Sequence, residues 1–130
     1  MNYVGIVLIS HSPEIVNGLE SLLKQIQENV PLAVAGGTDE NEIGTDVFKI
    51  KQAIESVYSE KGVVILFDLG SALINAEMAI EMLEDYPNIK IADAPLVEGA
   101  YAAVIEAGIG GTLEEVAAAA EGAKNLQKVH

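Results

Sequence analysis

The sequence contains no arginine, no cysteine and no tryptophan. Each absence removes a class of function. Without cysteine there is no disulfide framework, thiol nucleophile or thiolate zinc site. Without arginine, phosphate cannot be held in the bidentate guanidinium clamp that many phosphate-binding proteins use. Basic residues are scarce altogether: seven lysines face 20 acids, for a net charge of −13. Such a surface argues against a nucleic-acid backbone as partner, because counterion release needs clustered bases. No apolar run approaches the roughly 18 residues of a membrane span, so no membrane insertion is expected. No basic stretch with a cleavage site opens the chain, and no signal peptide is expected.

What is present is an ordinary globular composition, with 130 residues, half of them hydrophobic. That length suits one domain with one real core. Residues 1–123 are expected to form it, with 124–130 as a frayed tail.

Strands and helices alternate along the chain. Tyr3 to Ile9 is a short, nearly continuous apolar run, the pattern of a strand buried on both faces. Ser12-Pro13 is an N-cap followed by a first-turn proline. Behind it Ile15, Val16, Leu19, Leu22, Leu23 and Ile26 recur at helical spacing. Leu32 to Ala35 reads as a second strand, and Gly36 to Glu42 as a polar loop. A second helix carries Val47, Ile50, Ala53, Ile54 and Val57. Val63 to Phe67 is a third strand, stopped by Asp68-Leu69-Gly70-Ser71. The third helix presents Ala72, Ala76, Ala79, Ile80 and Leu83 on one face. Ile89 to Ala92 is a short fourth strand. Helix follows from Pro95 to Ala107, breaks at Gly108 to Gly111, and restarts at Thr112 with Glu115 in capping-box position.

This order predicts an α/β protein with a doubly wound, mostly parallel sheet and helices on both faces. The flavodoxin-like strand order 2-1-3-4 is the simplest solution. Such sheets bind ligands beyond the carboxyl ends of their strands, at the switch point. That rule selects Ser10 to Pro13, Gly36 to Glu42 and Asp68 to Ser71.

His11 follows strand 1 and Asp68 follows the adjacent strand 3, so the two side chains can meet. An aspartate that accepts the Nδ1–H of an imidazole leaves Nε2 with its lone pair, ready to take a phosphoryl group. A solvent-facing histidine beside a helix-capping aspartate is the plainer alternative. Two predicted helix N-termini also aim at this point, and their free N–H groups suit an anion. Gly36, Gly37 and Gly70 permit close backbone approach. Ser10, Ser12, Thr38 and Ser71 supply hydroxyls. A phosphoryl group can therefore be held without arginine. No Walker loop, calcium loop or nucleophile elbow is present, and with only two histidines no metal site and no cofactor are expected. A phosphoryl acceptor with no nucleotide site of its own points to a relay between proteins.

Ile6-Val7-Leu8-Ile9-Ser10-His11-Ser12 resembles the start of the mannose-type IIA domains of the bacterial phosphotransferase system. Phe67-Asp68-Leu69-Gly70-Ser71 resembles their turn after strand 3. Pro13 to Leu19, Ala35-Gly36-Gly37-Thr38-Asp39 and Ile43-Gly44-Thr45 are similar to one branch, DhaM, the phosphotransferase subunits of dihydroxyacetone kinase. The likeness spans about residues 3–122. It implies that His11 is phosphorylated at Nε2 by phospho-HPr, with Asp68 as its Nδ1 partner. The phosphoryl group would pass to ADP on DhaL, for transfer to dihydroxyacetone on DhaK. Ser12, Gly36, Gly37, Thr38, Gly70 and Ser71 would lie around the phosphate. A cytoplasmic homodimer is also implied. Mannose-type domains end in a strand exchanged between subunits. Pro95 to Glu121 reads here as two helices, so that exchange is not expected, and no further relay domain is expected after them. Three alternatives stand beside this: a sugar-transporter IIA component, a receiver phosphorylated on Asp68, and a module that binds a small anion without covalent chemistry.

Overall fold

The computed structural model describes residues 2–129; Met1 and His130, the last residue of the expected tail, lie outside it. Four strands, β1 (Gly5–Ser10), β2 (Leu32–Gly36), β3 (Val63–Phe67) and β4 (Ile89–Ile91), alternate with helices α1 (Pro13–Ile26), α2 (Val47–Val57), α3 (Ala72–Glu81), α4 (Leu96–Gly108) and α5 (Leu113–Gly122). The strands form one sheet in the order β2-β1-β3-β4, with every pairing parallel. The expected topology is the observed one, and Pro95 to Glu121 does form two helices.

β1 is central, and its six residues are all buried. Strand side chains alternate between faces. Ile6 and Leu8 enter the core built with α1, α4 and α5, whereas Val7 and Ile9 enter the opposite core with α2 and α3. Burial on both sides explains why the strand reads as an unbroken apolar run rather than an alternating one.

α1 begins as its sequence signals: Ser12 is the N-cap, its Oγ accepts the Ile15 N–H, and Pro13 opens the first turn. Its apolar surface is wider than the sheet can cover. Val16, Leu19 and Leu23 are buried, while Ile15, Leu22 and Ile26 are exposed. α5 carries the expected capping box between Thr112 and Glu115. The chain then makes a short 3-10 turn, Ala123–Asn125. Lys124 pairs with Asp93 at 3.1 Å, and Lys128 pairs with Glu98.

Candidate active site

His11 and Asp68 follow neighbouring strands whose register pairs Ile9 with Phe67, so the two residues leave the sheet side by side. His11 Nδ1 lies 2.9 Å from Asp68 Oδ1. Asp68 receives three further hydrogen bonds: from Ser10 Oγ (2.7 Å), the His11 N–H (3.0 Å) and the Leu69 N–H (2.7 Å). Partial burial pushes the carboxyl pKa up, but the bonds from Ser10, His11 and Leu69 outweigh this and hold it below its ordinary value. The group is an anion at neutral pH and can only accept. His11 Nδ1 therefore carries the hydrogen of the pair, and the lone pair of the neutral ring sits on Nε2.

Ser71 Oγ stands 2.8 Å from that Nε2. Because Nε2 is the unprotonated nitrogen of the neutral ring, the serine hydroxyl donates. Ser71 occupies the N-cap position of α3, yet its side chain makes no capping bond. Among the described residues, the N–H groups of Gly70 and Ser71 have no hydrogen-bond partner. One hydroxyl thus meets the free ring nitrogen from a helix N-terminus whose first N–H groups are unspent. The side chains of His11 and Asp68 are 19% and 16% exposed. A partner can reach the ring while most water is kept from the hydrogen-bonded pair.

The chain matches the family described as PTS system fructose IIA component, EIIA-man, over residues 5–117. It belongs to the EIIA-man family. It is 41% identical over 106 residues to the phosphotransferase subunit DhaM of PTS-dependent dihydroxyacetone kinase from Lactococcus lactis, a match that covers 80% of this chain and 84% of that one. It is 39% identical over 119 residues to the phosphoryl donor subunit DhaM of Escherichia coli, covering 87% of this chain and 25% of that protein. The chain therefore spans about a quarter of the length of the Escherichia coli relative. These relatives set it in the DhaM branch. A crystal structure of a protein of unknown function, EF1359, superposes with a TM-score of 0.87 at 34% identity and covers 100% of both chains. The mannose/sorbose-specific IIA subunit of Enterococcus faecalis shares the fold, at a TM-score of 0.59 and 16% identity over 100% of this chain and 96% of that one.

In this EIIA-man domain not every residue singled out from the sequence faces the ring. Gly70 and Ser71 do. Gly36 and Gly37 have a packing role. A Cβ on Gly36 would lie 2.4 Å from Val16 Cγ2 and 2.8 Å from Pro13 Cα; one on Gly37, whose φ is +77°, would meet the Pro13 ring. Both glycines let the end of β2 pass close under the start of α1. The Gly37 N–H donates to Ser10 O, and the Thr38 N–H donates to Glu42 O. The Gly37 and Thr38 amides are therefore spent within the loop. Ser12 Oγ caps α1, and the Ser12 N–H donates to Ser10 Oγ. Ser10 is no phosphate donor, because its wholly buried hydroxyl is directed at Asp68. A receiver with Asp68 as phosphoacceptor does not fit either: four donors occupy its two oxygens.

Two contacts could not be read from the sequence, although both fall on the Ile43-Gly44-Thr45 piece of the resemblance. Gly44 donates its N–H to His11 O at 2.9 Å, and Asn75 Nδ2 donates to Thr45 Oγ1 at 2.6 Å, tying α3 to the same loop. Lys49 Nζ bonds Gly36 O (3.0 Å) and Asn41 Oδ1 (2.7 Å). Asn41 is held in the left-handed region (φ 63°), which asparagine tolerates.

Proposed function

We propose that the domain is a phosphoryl relay of the phosphoenolpyruvate-dependent phosphotransferase system. Phospho-HPr gives its phosphoryl group to His11, and His11 passes it to ADP held on DhaL, for use on dihydroxyacetone bound by DhaK. The observation that carries this reading is an imidazole with Nδ1 bound to an ionised carboxylate and Nε2 facing a hydroxyl at a helix N-terminus. The names of the DhaM relatives support the acceptor branch.

In the step proposed, the Nε2 lone pair attacks phosphorus in line as the bond from phosphorus to the donor's histidine nitrogen breaks. The electrons of that bond return to the donor ring. Nδ1–H stays on His11, and Asp68 stabilises the positive ring without itself becoming protonated. Ser71 Oγ–H turns from the lone pair to an oxygen of the incoming phosphoryl group, where the Gly70 and Ser71 N–H groups add two more donors. The reverse sequence releases the group to the acceptor. No side-chain proton has to leave the site, which suits a carrier that must give up what it takes.

Leu69, whose N–H bonds Asp68, and Ile43, next to the Gly44 that bonds His11 O, are exposed, as are Phe48 and Ile74 in the first turns of α2 and α3. They form the apolar contact that HPr and DhaL would bury in turn. The net charge of −13 favours approach of a basic partner face. A cytoplasmic homodimer belongs to the same reading, and the exposed Ile15, Leu22 and Ile26 of α1 supply apolar surface for it.

The deciding experiment mixes the chain with phosphoenolpyruvate, the general donor enzyme and HPr, and measures intact mass. One acid-labile phosphoryl group is expected on wild type and none on His11→Ala. Discharge on adding DhaL-ADP and DhaK identifies the acceptor. A hydroxylamine-sensitive adduct surviving in His11→Ala, or no adduct on wild type, refutes the proposal.

A further inference from the structure

A groove of about 360 Å³ opens along the outer edge of β2, between α1 and α2. β2 pairs with β1 on one side only. The pairing decides which backbone groups are left over. The Ile6 N–H donates to Pro31 O and the Gly37 N–H donates to Ser10 O. With Ile6 opposite Leu32 and Ser10 opposite Gly36, positions 31, 33, 35 and 37 turn toward β1. Leu32, Val34 and Gly36 turn outward. Gly36 O confirms the direction, since it is the carbonyl that Lys49 reaches from α2. Among the described residues, nothing bonds the backbone of Leu32 or Val34 on that side.

Open edges are normally guarded by charge, proline or a bulge within the strand. Leu-Ala-Val-Ala-Gly has none of these. Among the described residues its only guard is Lys49, and that lysine is itself unanswered. Both its partners are neutral, and no carboxylate lies within ion-pair distance among the described residues. The groove lining holds Lys49 and no acid, in a chain with 20 acids. The cavities beside Lys90, Lys51 and Lys61 each carry more acids than lysines. Asn17, Gln52 and Ser56 complete the walls with neutral polar groups.

We propose that this groove takes an extended segment of a partner protein as an added strand on β2, with an acidic side chain of that segment paired to Lys49. Outward N–H and C=O groups alternate along the edge, and a peptide backbone answers both kinds, which a simple anion does not. A second copy offering its own β2 brings no carboxylate for Lys49, because Leu32–Gly36 is uncharged. The groove ends at Pro13, Gly36 and Asn41, in the two loops that flank His11. A segment lying there holds its parent protein beside the phosphoryl site. Binding in the groove does not depend on phosphorylation, so it stands or falls separately from the relay.

The test selects random ten-residue peptides displayed on phage against the immobilised full chain. Selected peptides are then titrated in solution with amide shifts recorded. The expected peptides carry an acid among alternating apolar residues, move the amide signals of Leu32, Val34 and Gly36, and bind His11→Ala unchanged. Lys49→Glu is expected to weaken them at least about tenfold, the loss of one charge-assisted bond. Val34→Pro removes an outward donor without touching the β1 ladder and is expected to abolish binding. If that variant misfolds, Lys49→Glu and the shift map decide alone. No enrichment, shifts elsewhere, or equal binding to Lys49→Glu overturns the proposal. So does self-association of the chain that Val34→Pro abolishes, which would make a second copy the occupant.

Discussion

Ser71 Oγ lies 2.8 Å from His11 Nε2, although 60 residues separate the two in sequence. A serine at a helix N-cap normally spends its oxygen on the helix's own N–H groups. Ser71 does not, and its hydroxyl is left to meet whatever the ring nitrogen carries. Ser71→Ala is expected to fold normally and to slow phosphoryl transfer from phospho-HPr by about a hundredfold, the usual cost of removing one pre-aimed donor from a transition state. Rapid-quench transfer kinetics check it. An unchanged rate would show the hydroxyl to be a bystander.

Asp68→Asn keeps the shape of the side chain but puts an amide where only an acceptor belongs. Its NH2 can face Nδ1 and stabilise the wrong tautomer, with the hydrogen on Nε2. Transfer is expected to fall about a thousandfold or more, by the logic of an aspartate that orients a catalytic histidine. Titration of the imidazole nitrogen signals would show the tautomer change directly.

Ser10→Ala is the conservative change expected to cost the most stability. The hydroxyl is wholly buried, donates to Asp68 Oδ2 and accepts the Ser12 N–H. Its removal leaves both partners short of a bond, for a loss of about 1–3 kcal/mol. Urea unfolding measures it, and Ser10→Thr should recover part of the loss by restoring the hydroxyl.

The Asp68 carboxyl is held below its ordinary value of 3.8. A group with a depressed folded-state pKa contributes stability that is complete above the unfolded value and is lost as pH falls through the folded one. Wild type is therefore expected to lose stability below about pH 4 more steeply than Asp68→Asn does. The two stability curves should converge at the acid end, as unfolding at a series of pH values will show.

Gly36→Ala places a methyl group against Val16 and Pro13. Overpacking of this kind costs about 1–3 kcal/mol. The expected result is a lower urea midpoint with phosphorylation at His11 retained at low temperature. Loss of phosphorylation in a folded variant would return Gly36 to the phosphate site.

Much of the architecture was legible because its causes are local. A both-sides-buried β1 shows as an unbroken apolar run, Ser12-Pro13 and Thr112 to Glu115 announce helix starts, and parallel strands joined by helices leave few topologies. His11 and Asp68 were legible for the same reason: each ends a strand, and the strands are neighbours. What packs against the glycine loop was not legible, because an isolated Gly-Gly-Thr carries no sign of what approaches it. Only packing shows that Pro13 and Val16 press on it.

The sequence by itself determined the strand and helix order, the helix caps and the pair that leaves adjacent strands, since each follows from periodicity, steric preference or chain connectivity. Tertiary structure alone decided that Ser10 serves Asp68, that Ser71 serves His11, that α1 leaves half its apolar stripe uncovered, and that β2 keeps an open edge under Lys49. Those outcomes depend on groups tens of residues apart meeting at hydrogen-bond distance, and on which side of a strand is left without a neighbour.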